Sequence, residues 1–264
     1  HINSMQYLGR TVLYKKQDDE IIIHGMNLLR LRANRDIIIP GYAKYYFYGH
    51  SFRSQLRNIM KKSVNQASFA VKDLKKIKME IPCLREQQKL VQVLDKIQKI
   101  IDVKTKEIAK FDELVSARFV EMFGDPITNS KLLPIEKIEE RYFLKAGITT
   151  KAEDIHDYLK DKYEIPCYGG NGIRGYVENL SYEGCYPIIG RQGALCGNVQ
   201  YATGKFHATE HAVLVSILKN DNTMWVYYML KLMDLYRYHT GAAQPGLAVK
   251  KLNTIDVIVA DINL

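Results

Sequence analysis

Long apolar runs are missing from this 264-residue sequence. The longest, such as Ile21-Ile22-Ile23 and Ile37-Ile38-Ile39, fall far short of the roughly 20 residues a membrane-spanning helix needs. The N-terminus also lacks a charged-then-apolar secretory pattern, so a cytoplasmic protein with no membrane partner is expected. Cysteine is scarce: Cys83, Cys167, Cys185 and Cys196 make neither a CxxC pair nor a dense disulfide framework, which suits a reducing compartment. Catalytic signatures are missing too. There is no GxxxxGK[ST] phosphate loop, no Rossmann glycine fingerprint after a strand, and no HExxH. What remains is 47% hydrophobic and 25% charged, which excludes disordered and fibrous classes and leaves room for one large domain or two modest ones. His1-Ile2-Asn3-Ser4 ahead of Met5 reads as a cloning remnant and is left out of the expected fold.

The formal net charge is +9, and its distribution says more than its total. Residues 1–84 hold 15 Lys/Arg against 6 Asp/Glu, residues 85–123 hold 8 against 7, and residues 124–264 hold 15 against 16. A nucleic-acid partner is compatible with the front of the chain, whereas the last 140 residues would need a local basic patch. The densest basic run at the front is Arg53, Arg57, Lys61 and Lys62, expected on a helix whose simplest role is a solvated face.

The middle of the chain carries the clearest periodicity. Leu90, Leu94, Ile97, Ile101, Ile108, Phe111, Val115 and Met122 follow alternating steps of four and three, with Lys104 and Arg118 at the two remaining seam positions. This predicts one long helix from about Glu86 to Phe123, roughly 55 Å in length, stopped by Gly124-Asp125-Pro126. A second row (Val91, Ile100, Leu114, Phe119, Phe123) widens the apolar face, so more than one neighbour is expected. An ordinary core helix is the simpler alternative, but the length favours a coiled-coil-like spacer between two domains.

The flanks of that helix are related to each other. Gln66 to Ile77 (QASFAVKDLKKI) lines up without a gap on Gln244 to Ile255 (QPGLAVKKLNTI). With short gaps, Gly25 to Leu31 falls opposite Thr209 to Val215, and Tyr45 to Tyr48 near Trp225 to Tyr228. A repeat of this size predicts two copies of one domain. The second copy is the longer, nothing before the first matches Ile127 to Cys196, and the tail stops where the repeat would begin another long helix, so the chain reads as truncated at both ends.

The second copy reads as a mixed α/β domain. Pro187 to Gly190, Gly197 to Ala202 and Ala212 to Ile217 are short β-rich runs broken by glycine. Met224 to Tyr238 has helical spacing, and Lys160 to Pro166 leads into a glycine-rich loop, Tyr168 to Gly175. Gly169-Gly170-Asn171-Gly172 lacks the lysine and hydroxyl of a phosphate cradle, so a tight turn presenting Asn171 and Arg174 is the better reading. Cys185, Cys196, His207 and His211 are a metal-site rival. Lys205 to Ser216 alternates like a strand, however, where His207 and His211 would stand about 13 Å apart. No metal is therefore assigned, and His211 is read as a buried, hydrogen-bonded histidine.

Five phrases in order carry a family likeness: Ile81-Pro82-Cys83-Leu84-Arg85-Glu86-Gln87-Gln88; Phe119 to Pro126; Ile188 to Gly193; Ala208-Thr209-Glu210-His211-Ala212; and Gly241 to Leu247. With the duplication and the helix, the chain resembles the specificity subunit of type I restriction-modification systems. The resemblance implies an α/β (α+β) fold of target recognition domains separated by the long helix. The first would be partial, over 5–80, the spacer would run over 81–125, and the second would occupy 126–264. It implies a prokaryotic, non-catalytic DNA reader for one half of a split double-stranded target, docking modification (methyltransferase) and restriction subunits. Methyl donor and ATP would be held by those partners, with no cofactor on this chain. Base and phosphate contacts need paired donors and acceptors and cations. The candidates are Lys151, Asn171, Arg174, Arg191, Gln192, Lys205 and His207, with Arg191 suited to phosphate or fold support and Gln244-Pro245 to structure. The seam Leu90, Leu94, Ile97, Ile101, Ile108, Phe111 and Val115 has no second long helix to meet, which predicts a homodimer; folding back on the first segment is the alternative. The competing function is a coiled-coil protein-assembly module without DNA specificity.

Overall fold

The computed structural model describes residues 2–3, 7–16, 18–19, 21–63, 66–157, 159, 162–241 and 245–260. The readings placed on His1, Ser4, Met5, Lys160, Ala242, Ala243, Gln244 and 261–264 lie outside the described residues. The chain divides into two units, His1–Ile108 and Ala109–Leu264. No helix among the described residues is long and apolar enough to cross a membrane.

In the first unit, β1 (Ile2–Asn3) pairs antiparallel with the later β3, Ile2 opposite Ser68, so Ile2 and Asn3 of the supposed N-terminal remnant belong to a small sheet. The turn after it buries Leu8 and carries Gly9 at φ +72°. Next come α1 (Pro40–Tyr48), with proline at its first position, and α2 (His50–Ile59), divided by Gly49. β2 (Lys61–Lys62) and β3 (Ala67–Ser68) complete the sheet, followed by the one-turn α3 (Val71–Leu74). Arg53 and Arg57 are thus helical, whereas Lys61 and Lys62 belong to a strand, which corrects the single basic helix expected. Leu8, Phe52, Leu56, Ala67 and Phe69 form the core of this unit.

α4 (Leu84–Phe123) is the long helix, 40 residues and roughly 60 Å of continuous α-helix. The Glu86-Gln87-Gln88 phrase that opens it has a local cause. Gln87 is fully buried; its Oε1 accepts from Ile39 N at 2.8 Å and its Nε2 donates to Ile37 O and Pro82 O. It therefore supplies the N-cap of α1, whose own cap residue, Ile39, has no polar side chain. Six of the seven seam residues, Leu90, Ile97, Ile101, Ile108, Phe111 and Val115, are between 43% and 69% exposed. The second row splits: Val91 and Phe119 are buried, Phe123 is half-buried, and Ile100 and Leu114 are exposed. Lys104, at one of the two charged seam positions, pairs within the helix with Glu107 at 2.8 Å.

The second unit opens with β4 (Ile135–Lys137), α5 (Ile138–Arg141) and β5 (Tyr142–Ala146). β6 (Ile165–Gly169), β7 (Gly172–Val177), β8 (Tyr182–Gly190), β9 (Val199–Ala208) and β10 (Ala212–Ile217) follow. They form a six-stranded sheet of order β5-β10-β8-β9-β6-β7, antiparallel except where β6 meets β9. One face packs on α6 (Thr223–Leu232), capped by the Asn222 side chain, and on the end of α4 through Phe119, Trp225 and Met229. The helix expected from Met224 to Tyr238 breaks at Asp234 (φ +47°), and Leu235–Tyr238 form a separate 3-10 turn. α7 (Val249–Asn253) and β11 (Asp256–Ile258) close the unit, β11 pairing with β4.

The internal repeat extends further than its sequence signal. α3 and α7 start two residues after the buried Phe69 and Leu247, from near-identical caps at Ala70 and Ala248. Ser68 is flanked by Ile2 and Lys61, as Gly246 is by Gln192 and Thr240. Leu8-Gly9 and Cys196-Gly197 repeat a buried residue followed by a left-handed glycine, and each glycine lies against the corresponding helical turn, at Leu56 and Leu235. Tyr45 donates to Asp95 of the long helix at 2.6 Å, and Tyr228, at the same distance from its cap, to Asp112 at 3.5 Å.

Candidate nucleic-acid interface

Polar side chains gather where β6 turns into β7. The segment read as a glycine-rich loop is a hairpin, with Gly169 and Gly172 as the strand ends and Gly172 at φ +89°. Asn171 is exposed at its tip and accepts a hydrogen bond from Asn198 Nδ2. Arg174 is exposed on β7, its aliphatic stem beside Gly169. The hairpin can sit this close only because Gly170 meets Gly190: a Cβ on Gly190 would collide with the Gly170 carbonyl. This contact brings the hairpin tip beside Arg191, the residue that follows Gly190.

Arg191 is anchored through its backbone. Its N–H donates to His211 O at 3.0 Å and its carbonyl accepts from Leu247 N at 2.8 Å. Its Nε is buried without a protein partner, as are Thr209 Oγ1 and His211 Nδ1. Gln192 is exposed and bridges to Gly246. Contacts through Gly170, Gly190 and Asn198 thus bring Asn171, Arg174, Arg191 and Gln192 to one end of the sheet. Asn198 and Gln200, the latter beside Gly172, line the same end. Sequence reasoning missed both, because only the hairpin contact brings them there.

The other three candidates lie apart from this group. Lys151 is exposed, 3.6 Å from Glu153. Lys205 is exposed on β9, opposite Glu183 in register. His207 is buried, which takes its imidazole away from direct reading. Thr150 Oγ1 donates to Ile148 O at 2.8 Å and so accepts from His207 Nε2 at 2.8 Å, while Ser181 donates to His207 Nδ1 at 2.5 Å. This chain of bonds fits the neutral ring with its proton on Nε2, and burial holds its pKa below the ordinary value. The roles expected of the two histidines are exchanged: His211, expected to be buried and bonded, is half-exposed and faces Glu210 at 3.3 Å. The strand expected through Lys205 to Ser216 is also interrupted, since Thr209 to His211 form a turn between β9 and β10. No group of three or more potential metal ligands occurs among the described residues.

Residues 6–112 match the family model described as the type I restriction modification DNA specificity domain. The EcoprrI specificity subunit of Escherichia coli is 36% identical over 241 residues, covering 83% of this chain and 57% of that protein. The EcoKI specificity subunit of the same species is 23% identical over 129 residues, covering 47% and 28%. A crystal structure of the type I restriction-modification S subunit from M. genitalium aligns at a TM-score of 0.49 and 16% identity, over 85% of this chain and 62% of that one. The chain spans little more than half the length of the EcoprrI subunit. In sequence, the chain is similar to type I restriction-modification specificity subunits over most of its length.

Proposed function

We propose that the chain is a DNA-sequence specificity subunit that reads a half-site of a split double-stranded target and docks modification subunits, without chemistry of its own. The observation that carries this reading is the 36% identity to the EcoprrI specificity subunit across most of this chain. The end of the sheet at the β6–β7 hairpin is the reading surface, with Asn171, Arg174 and Gln192 facing base edges and Arg191 supporting them. Lys151 and Lys205 serve as phosphate contacts, and His207 acts through Thr150 rather than by touching DNA. The domain limits of this reading are 5–80, 81–125 and 126–264, the two unequal recognition domains being copies of one frame.

The same reading makes the chain a homodimer through α4. Its exposed seam is an apolar strip longer than soluble monomers usually leave in water. A groove of about 430 Å³, lined by Leu114, Val115, Phe119, Met122 and Trp225, continues that strip. A second copy running antiparallel would cover both. The function is tested by adding the chain to a purified modification subunit and labelled methyl donor. Methyl transfer to duplex DNA should require both proteins, and transfer by the chain alone would overturn the reading.

A further inference from the structure

The two units share a frame but not a charge. Residues 1–84 carry 15 Lys/Arg against 6 Asp/Glu, while 124–264 are close to neutral. Within the first unit part of the excess is gathered on one face. Lys61 and Lys62 are exposed on β2, which pairs with β3, and Lys72 and Lys76 are exposed on and just beyond the α3 that follows. All but Lys62 act on the same carboxylate, Asp73: Lys76 hydrogen-bonds it at 3.0 Å, and the charges of Lys76, Lys72 and Lys61 add to hold its pKa below the usual range. One carboxylate among four lysines leaves a strong positive excess on this face.

The repeat supplies an internal control. Thr240 holds in the second unit the bridge position that Lys61 holds in the first, and Thr254 stands at the position of Lys76. Of the four lysines only Lys72 keeps its charge, as Lys250, while Lys251 stands where the first unit has Asp73. The frame therefore forms without these cations, and clustering them is repulsive unless an anion is present. An extended anion of regular charge spacing suits such a surface, and a nucleic-acid backbone is one.

We propose that Lys61, Lys62, Lys72 and Lys76 form a DNA-backbone contact surface on the first unit, supplying affinity without sequence preference. The inference rests on the DNA-reading function proposed above. It adds a division of labour: the phosphate contacts are concentrated on the first unit and base discrimination on the second.

The test is the salt dependence of duplex binding by the full chain. Lys61→Gln, Lys62→Gln, Lys72→Gln and Lys76→Gln are combined in one variant. A control variant removes four exposed helix charges with Lys89→Gln, Lys96→Gln, Lys106→Gln and Lys110→Gln, and circular dichroism melts check that both remain folded. Each phosphate that is no longer neutralised lowers the slope of log affinity against log salt by about 0.9. The first variant should lower that slope by about 2 or more and keep the wild-type ratio of target to random-duplex affinity; the control should keep the wild-type slope. An unchanged slope in the first variant, with a salt-dependent wild type, overturns this inference and leaves the DNA reading standing. Failure to bind the modification subunit with the slope intact would likewise overturn it, making the face a protein dock. A wild type with no salt-dependent duplex binding overturns the DNA reading and this inference together.

Discussion

Arg174 and His207 show how differently two candidate residues of one sheet are placed. Arg174 is exposed beside the hairpin tip, where a guanidinium can pair with a base edge. Arg174→Ala is expected to weaken duplex binding by about 1–3 kcal/mol and to relax preference at a single base pair. Competition binding against single-base variants of the target measures both, and an unchanged profile removes Arg174 from the reading surface. His207 instead is a buried strut between Thr150 and Ser181, with a lowered pKa. The unfolded chain takes up a proton near pH 6.5 that the folded ring resists, so this residue's contribution to stability is present above that pH and is lost as pH falls toward the folded value. Thermal melts should therefore drop more steeply between pH 7 and pH 5 for the wild type than for His207→Gln. Equal slopes would contradict the assignment of a neutral buried ring. The sequence pattern assigned the two histidines of the region exchanged roles, because burial there depends on the turn at Thr209 to His211, which an alternating pattern hides.

At the scale of elements, the long helix was legible almost to the residue, since a heptad pattern ended by Gly-Asp-Pro is a strong local signal. The repeat was legible where side chains are shared, from Gln66 to Ile77, and illegible at Leu8-Gly9 and Cys196-Gly197, where only a backbone conformation is common to the two copies. Those glycines make a graded prediction. At Gly197 a Cβ would meet the backbone of Leu235 and Tyr236, whereas at Gly9 it would meet the flexible end of Leu56, both at positive φ. Gly197→Ala should cost roughly 2–4 kcal/mol in urea unfolding and Gly9→Ala less, and the reverse order would contradict these contacts. The exposed seam of α4 makes another. Leu94→Asp combined with Ile101→Asp should convert a dimer to a monomer in sedimentation at micromolar concentration, while a wild type already monomeric there would defeat the dimer proposal.

For the whole molecule, sequence pattern indicated mixed α/β domains and the count of charges an excess at one end, and the structure turns that asymmetry into a comparison between two related units. The gathering of Asn171, Arg174, Arg191 and Gln192 was only partly foreseeable. Each lies close to a glycine in sequence, but the contact of Gly170 with Gly190 that unites them is a tertiary event with no local signature. The proposed function is that this chain selects the DNA sequence on which a partner acts. Methylome sequencing of a host carrying the gene together with its modification subunit tests it most directly. A methylated motif should appear only when both genes are present, and it should change when residues 126–264 are exchanged for those of a relative. Methylation that is independent of this chain, or a motif indifferent to that exchange, would contradict the account.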